Sequence, residues 1–175
     1  MGADQLAVYD DDTVADHNIP NQFYREQDLG RHKVTALEEI VRAFTGVAIE
    51  PIPARFDQQA VSGVVIVCVD TMDQRRIIWR ALRYRSAVPL VIDTRMGAEV
   101  AVIHTVQPCD PDDIRRYQET LHGSDEAFQA RCTERAIIYT VLGLAAITAG
   151  KLKKFVQNEP YRHTVVRDFR LSILQ

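Results

Sequence analysis

The sequence has no G-x-G-x-x-G. It therefore lacks the glycine turn whose backbone N–H groups, with the helix that follows, commonly cradle a phosphate chain. Cysteine is scarce: Cys68, Cys109 and Cys132 are an odd number with no C-x-x-C pair. That argues against a disulfide framework and a cysteine-rich zinc site, predicts no structural zinc, and makes the cytoplasm the simplest compartment. The five histidines show no H-x-x-x-H spacing. No apolar run approaches the roughly 18 residues of a membrane helix. The most apolar stretch, residues 136–150, ends in Lys151, Lys153 and Lys154 and reads as a core helix, so no membrane partner is expected. Asp4 and the acids at 10–12 stand where the apolar part of a signal peptide would have to be. Neither charge sign is in large excess. A formal net charge of -3 offers no basic surplus for a nucleic-acid backbone. Arg75, Arg76, Arg80, Arg83 and Arg85 cluster, but they are interleaved with apolar residues at helical spacing and read as a solvated helix face.

What is present is ordinary for a globular chain. Its 175 residues are 46% hydrophobic and 26% charged, enough for one domain with a real core. Residues 6–10 read as a short strand and 11–32 as a polar loop with a turn or two. Val34, Leu37, Ile40, Val41 and Phe44 recur at helical spacing over 33–44, with Gly46 as a stop. Strands follow at 47–52 and at 64–69. The second reads "VVIVCV", the β-branched run of a strand covered on both faces. A helix is predicted over 73–84, a buried strand over 89–92, and an alternating, antiparallel strand over 99–106. A helix beginning near Pro111 and a long one over 133–155 come next, and 164–174 alternates as a strand. The order predicts an α/β fold: a Rossmann-like, mainly parallel sheet flanked by helices, with antiparallel strands added and a long helix in the C-terminal half.

Ligands of such sheets bind at the carboxyl ends of the strands, and acids stand at three of them: Asp10 to Asp12, Asp70 and Asp93. A carboxylate there accepts hydrogen bonds from ribose hydroxyls or holds Mg²⁺ against a phosphate. Equally, it caps a helix or simply ends a strand. Lys33, at the start of a predicted helix, is the nearby cation.

"YDDDTVADHNIPNQF" at 9–23 and "DLGRHKVTAL" at 28–37 resemble the second-strand segment of the ThiF/MoeB and ubiquitin-activating-enzyme superfamily. That segment runs D-x-D-x-V, N-x-x-R-Q, then D-[IV]-G-x-x-K opening a helix. "VCVDTMDQRR" at 67–76 is similar to the family's later strand, Asp, turn and Arg. "VPLVIDTRMGAEV" sits where the family has a strand and a glycine-containing turn. "RCTERAIIYTVLGLAAITAGKLKKF" resembles its long late helix. The resemblance covers residues 6–155.

The resemblance implies an enzyme that binds ATP and Mg²⁺ and adenylates the C-terminal carboxylate of a ubiquitin-like or sulfur-carrier protein. Asp10 would bind the ribose, and Asp12, Asn18 and Gln22 would lie in the nucleotide site. Lys33 would touch phosphate, and Asp70 would hold Mg²⁺. Arg75 would either act in the site or support it structurally. Cys132, just before the long helix, is either the acceptor of the activated carboxyl as a thioester or acyl-disulfide, or a structural cysteine. Cys109 has acidic neighbours that disfavour a thiolate, and Cys68 is expected in the core. Asp93, Arg95 and Glu99 either line the groove for the carrier tail or are turn and sheet-edge charges. His17 and His32 either touch the nucleotide loop or are solvated. A homodimer through the helical side of the sheet is expected by analogy.

The pattern breaks in two places. Asn21 stands where the family has a phosphate-binding arginine, and an amide supplies neither charge nor a bidentate fork. The family's first strand and glycine turn precede the D-x-D strand, yet only seven residues precede Val8. The expectation is therefore a single ThiF-like domain over 1–175, incomplete at its front, with Met1 internal to a longer parent, or with another chain or segment filling the gap. Two other readings stay open: a non-catalytic binding module of the same fold, and a nicotinamide-dinucleotide oxidoreductase, which rests on Asp10 alone.

Overall fold

The computed structural model describes residues 5–121, 137–171 and 173–174. The chain forms two compact units, Met1–Phe56 and Asp57–Gln175.

In the first unit, strand β1 (Ala7–Tyr9) runs parallel to β2 (Glu50–Ile52), with Val8 opposite Pro51. Helix α1 (Lys33–Thr45) lies in the crossover that a parallel pair requires. Its predicted apolar stripe is realised at Val34 and Ile40, which are buried with Ala36, while Phe44 is 85% exposed. Gly46 stops the helix as its position predicts. It adopts the left-handed region (φ 72°), and its N–H bonds to the Arg42 carbonyl at 2.8 Å. The loop from β1 to α1 is ordered by its own polar side chains. Asn18 Oδ1 accepts from the Ala15 N–H at 2.9 Å. Buried Asp28 accepts from the Arg25 N–H, from Arg25 Nε and Nη2, and from Arg31 Nη1. The Val14 N–H bonds to the Arg31 carbonyl and the Gly30 N–H to the Val14 carbonyl, both at 2.9 Å, so the loop closes on itself.

The second unit is a five-stranded sheet in the order β3 (Val65–Val67), β4 (Val91–Gly97), β5 (Val100–Val106), β6 (Thr164–Asp168), β7 (Ile173–Leu174). The β3–β4 pair is parallel, and the three pairs beyond it are antiparallel. Helix α2 (Met72–Leu82) starts at a Thr71 cap, whose Oγ1 accepts from the Gln74 N–H. Helix α3 (Pro111–Gln118) has Asp110 as cap and proline in its first turn, both ordinary start signals. Helix α4 (Ile138–Val156) follows. Side chains alternate across a sheet. Leu90, Ile92, Ala101 and Ile103 therefore share one face, where Leu144, Ile147, Leu152 and Phe155 of α4 pack on them. Burying each large aliphatic there contributes about 1.5–3 kcal/mol. On the other face Asp93 and His104 stand directly opposite in the β4–β5 register, under the edge-to-face pair of Trp79 and Tyr117. Among the described residues no helix is long and apolar enough to cross a membrane.

Gly143 on α4 is required by packing. A Cβ built there would lie 2.1 Å from Cζ of Phe169, whose ring fills that space. Gly143→Ala is expected to destabilise the fold by about 1–3 kcal/mol through forced displacement of that ring. Urea denaturation with an unchanged slope would register it as a lower midpoint.

Four sequence expectations are corrected here. The run at 64–69 is not a strand covered on both faces, because β3 lies at the edge of its sheet and Ile66 is 40% exposed. Cys68 lies beyond the end of β3 and is exposed, not core. Asp93 does not end a strand; β4 continues to Gly97, and Asp93 is fully buried within it. Arg75 does not belong to a solvated face, being only 3% exposed.

Candidate functional site

The first unit gathers charge at the carboxyl end of β1. The last rung is the Asp10 N–H to the Ile52 carbonyl, after which the chain leaves the ladder. Asp10 Oδ1 then accepts from the Asp12 N–H at 2.8 Å, a local turn that bunches the acids. The carboxylates of Asp10, Asp11 and Asp12 come within 4.8 Å of one another. Two cations offset them. Arg55 Nη2 approaches Asp11 at 3.2 Å, and Lys33 Nζ pairs with Asp12 at 2.6 Å. The Lys33 N–H also bonds to the Asp12 carbonyl at 3.0 Å, so the first residue of α1 is fixed to residue 12 twice. The lysine side chain is 13% exposed, and its partner carboxylate 62%.

The structure thus brings Asp10, Asp12 and Lys33 together. Asn18 is buried and braces the loop, and Gln22 is exposed four residues on, its N–H bonded to the Asn18 carbonyl. Tyr24 was not singled out from the sequence. Its phenol is pushed up to about 12, first by burial and then by the fields of Asp10, Asp28 and Asp12. Beside Phe23 in a polar loop, Tyr24 carries no spacing pattern that would have exposed it.

The second unit holds Asp70, between the end of β3 and the Thr71 cap of α2. It is exposed, and its carboxylate makes no hydrogen bond or ion pair among the described residues. An unengaged hard oxygen donor at a strand end fits a cation such as Mg²⁺. Arg75, one turn into α2, is the reverse case. Its Nε bonds to Asp93 Oδ1 at 2.7 Å, Nη1 to the Thr71 carbonyl at 3.2 Å, and Nη2 to the Val69 and Thr94 carbonyls at 2.7 and 3.0 Å. Asp93 also accepts from Arg95 Nε at 2.8 Å and from the Tyr117 hydroxyl at 3.0 Å. Arg95 in turn holds the carbonyl and hydroxyl of Thr120. Cys132 and the predicted helix start at Thr133 lie outside the described residues.

Burial, then the Arg95 charge, depresses the His104 imidazole to about 4, and its Nδ1 lies 3.1 Å from Thr164 Oγ1. The sign follows from linkage. Below the ordinary value of 6.5 the unfolded chain takes up a proton that the folded chain refuses, so stability falls as pH drops from 6.5 towards about 4. The loss expected is on the order of 2–3 kcal/mol. Asp28 adds a second, lower limb. Hydrogen bonding from Arg25 holds it near 2, so its contribution is present above 3.8 and is lost as pH falls towards about 2. Urea midpoints followed from pH 7.5 to 4 should slope downward in the native chain and flatten in His104→Gln; equal slopes would remove His104 as the cause.

A parallel pair with its crossover helix in the first unit, and a mixed sheet flanked by helices in the second, define an α/β fold. The chain belongs to the ThiF family, whose model matches residues 1–171. No protein of curated function matches it by sequence. Among solved structures it is similar to PaaA, at 17% identity and TM-score 0.65, over 95% of this chain and 62% of that one. It is also similar to E. coli MccB with ATP, at 14% identity and TM-score 0.69, over 98% of this chain and 55% of that one. MccB with MccA-N7isoASN gives 13% identity and TM-score 0.69, over 98% and 56%. At these identities the likeness is one of fold. The chain spans about 55–62% of the length of these relatives.

Proposed function

We propose that this chain is the nucleotide-handling part of a ThiF-type adenylyltransferase. It would use ATP and Mg²⁺ to activate the C-terminal carboxylate of a peptide or small protein of the ubiquitin-like or sulfur-carrier kind. The observation that carries this reading is that β1 and β3, each parallel to its neighbour, run out into acids, half-buried Asp10 with exposed Asp11 and Asp12 in the first unit and exposed Asp70 in the second, with Lys33 fixed beside the first set. Family membership supports it, as do the MccB structures with ATP and with MccA.

In this reading Asp10 accepts from the ribose hydroxyls and Lys33 binds phosphate. The Lys33–Asp12 pair is no obstacle, because a pair with one partner 62% exposed is worth only about 0–1 kcal/mol and a triphosphate displaces it. Asp70 is the residue that would hold Mg²⁺, whose charge would offset the repulsion between triphosphate and substrate carboxylate. A substrate carboxylate oxygen bonds to the α-phosphorus, the bond from that phosphorus to the β-phosphate oxygen breaks, and pyrophosphate leaves with the electron pair.

Asn21 favours a second reading, a binding module without turnover. Its side-chain amide bonds to the His17 carbonyl at 3.2 Å and brings no charge. ATP–pyrophosphate exchange separates the two. Adenylation predicts Mg²⁺-dependent exchange that a peptide or carrier with a free C-terminus stimulates and its C-terminal amide does not. ATP binding with no exchange for any carrier would leave the binding module.

A further inference from the structure

Asp70 is held from within the fold by a residue that never reaches the surface. The carbonyls on either side of it, those of Val69 and Thr71, both accept from the guanidinium of Arg75. That guanidinium is anchored in the sheet by the Thr94 carbonyl and by Asp93, which is fully buried. Asp93 in turn is fixed from its other side by Arg95 and Tyr117. The arginine therefore has all but one of its N–H donors engaged. A cation needed only to neutralise Asp93 could be satisfied by that carboxylate alone. A guanidinium that holds the carbonyls of the residues before and after an unengaged acid does more: it ties both ends of the 69–71 turn to one group.

We propose that Arg75 is the positioning residue for Asp70, presenting its carboxylate from an immobilised turn to the metal–nucleotide complex. This rests on the reading of Asp70 as the Mg²⁺ ligand. Lysine is the discriminating replacement, because it keeps the charge for Asp93 but, as a point charge, cannot bracket two carbonyls. The proposal has a signature that a general packing role lacks: the effect of Arg75 must pass through Asp70.

The experiment is calorimetry of ATP binding to the full chain, with Mg²⁺ and with EDTA, for the native protein, Arg75→Lys, Asp70→Ala and the double variant. Arg75→Lys is expected to weaken Mg²⁺-dependent affinity about 10-fold, equivalent to about 1.4 kcal/mol, and to leave affinity in EDTA unchanged. The double variant is expected to bind as Asp70→Ala does. Equal losses from Arg75→Lys in both backgrounds would overturn the proposal. So would native Mg²⁺ dependence in Arg75→Lys alongside a defective Asp70→Ala. Native affinity in Asp70→Ala would sink the metal role of Asp70 first, and the positioning role with it. If Arg75→Lys does not fold, the guanidinium resonances of the native chain decide. Arg75 Nη signals should shift on adding ATP with Mg²⁺ but not ATP with EDTA, and signals that stay put refute the proposal.

Discussion

Asp70→Ala is expected to lower ATP affinity in the presence of Mg²⁺ by about 100-fold, roughly 2.7 kcal/mol, to the level the native chain shows in EDTA. The size reflects what is lost. A carboxylate facing Mg²⁺ contributes a formal charge and an oxygen donor that water replaces only in part. The effect should be confined to binding. Asp70 is exposed and makes no hydrogen bond or ion pair among the described residues, so its removal should change folding stability by no more than about 0.5 kcal/mol. Asp70→Asn should fall between the two, keeping an oxygen donor without its charge. Calorimetry with and without Mg²⁺, beside a urea titration, checks both halves. An unchanged Mg²⁺-dependent affinity would remove Asp70 from the site. A large loss of stability would show that its carboxylate has a structural partner.

The features legible in the sequence were those encoded locally. Helix α1 follows from its apolar spacing and from Gly46, which can take a left-handed conformation cheaply. The antiparallel strand β5 follows from alternation over 99–106, but its tight connection to β4 does not, because the apolar run before it breaks off at 92 while the strand runs on to Gly97. The acids at the end of β1, and Lys33 beside them, follow from position alone, because a strand end and a helix start fix where those side chains begin.

What was not legible depends on partners far along the chain. Arg75 sits among arginines at helical spacing and reads as solvated. Its counter-charge, Asp93, is 18 residues away on a strand whose polar letters look like a strand end. Each charge argues against burial when considered singly, and only pairing them makes both burials affordable in desolvation energy. Ile66 failed for the complementary reason. A β-branched run indicates strand, but not whether the strand lies inside the sheet or at its edge, and β3 lies at the edge.

Asp93→Ala should be the most destabilising single substitution in the second unit, by about 3–5 kcal/mol. It leaves Arg75, 3% exposed, and Arg95, 15% exposed, facing each other with no anion between them, and takes the acceptor from the Tyr117 hydroxyl. Like charges in a desolvated setting repel strongly, and Arg75, unlike the partly exposed Arg95, is shut away from water. A loss of that size is a large fraction of the roughly 5–15 kcal/mol that holds most domains folded. Asp93→Asn should lose less, since its amide oxygen still accepts one hydrogen bond. The more informative variant removes the charges together. Arg75→Met with Asp93→Leu and Arg95→Met should recover part of the loss, roughly 2 kcal/mol, because a buried ion cluster is often no more stabilising than apolar side chains of similar volume. Recovery should stay incomplete, because the carbonyls of Val69, Thr71 and Thr94 lose their donor. Urea midpoints of the variants measure this directly. If the triple variant regains stability yet stays defective in Mg²⁺-dependent nucleotide binding, the cluster serves the Asp70 turn rather than the fold. If binding returns with stability, its role is packing.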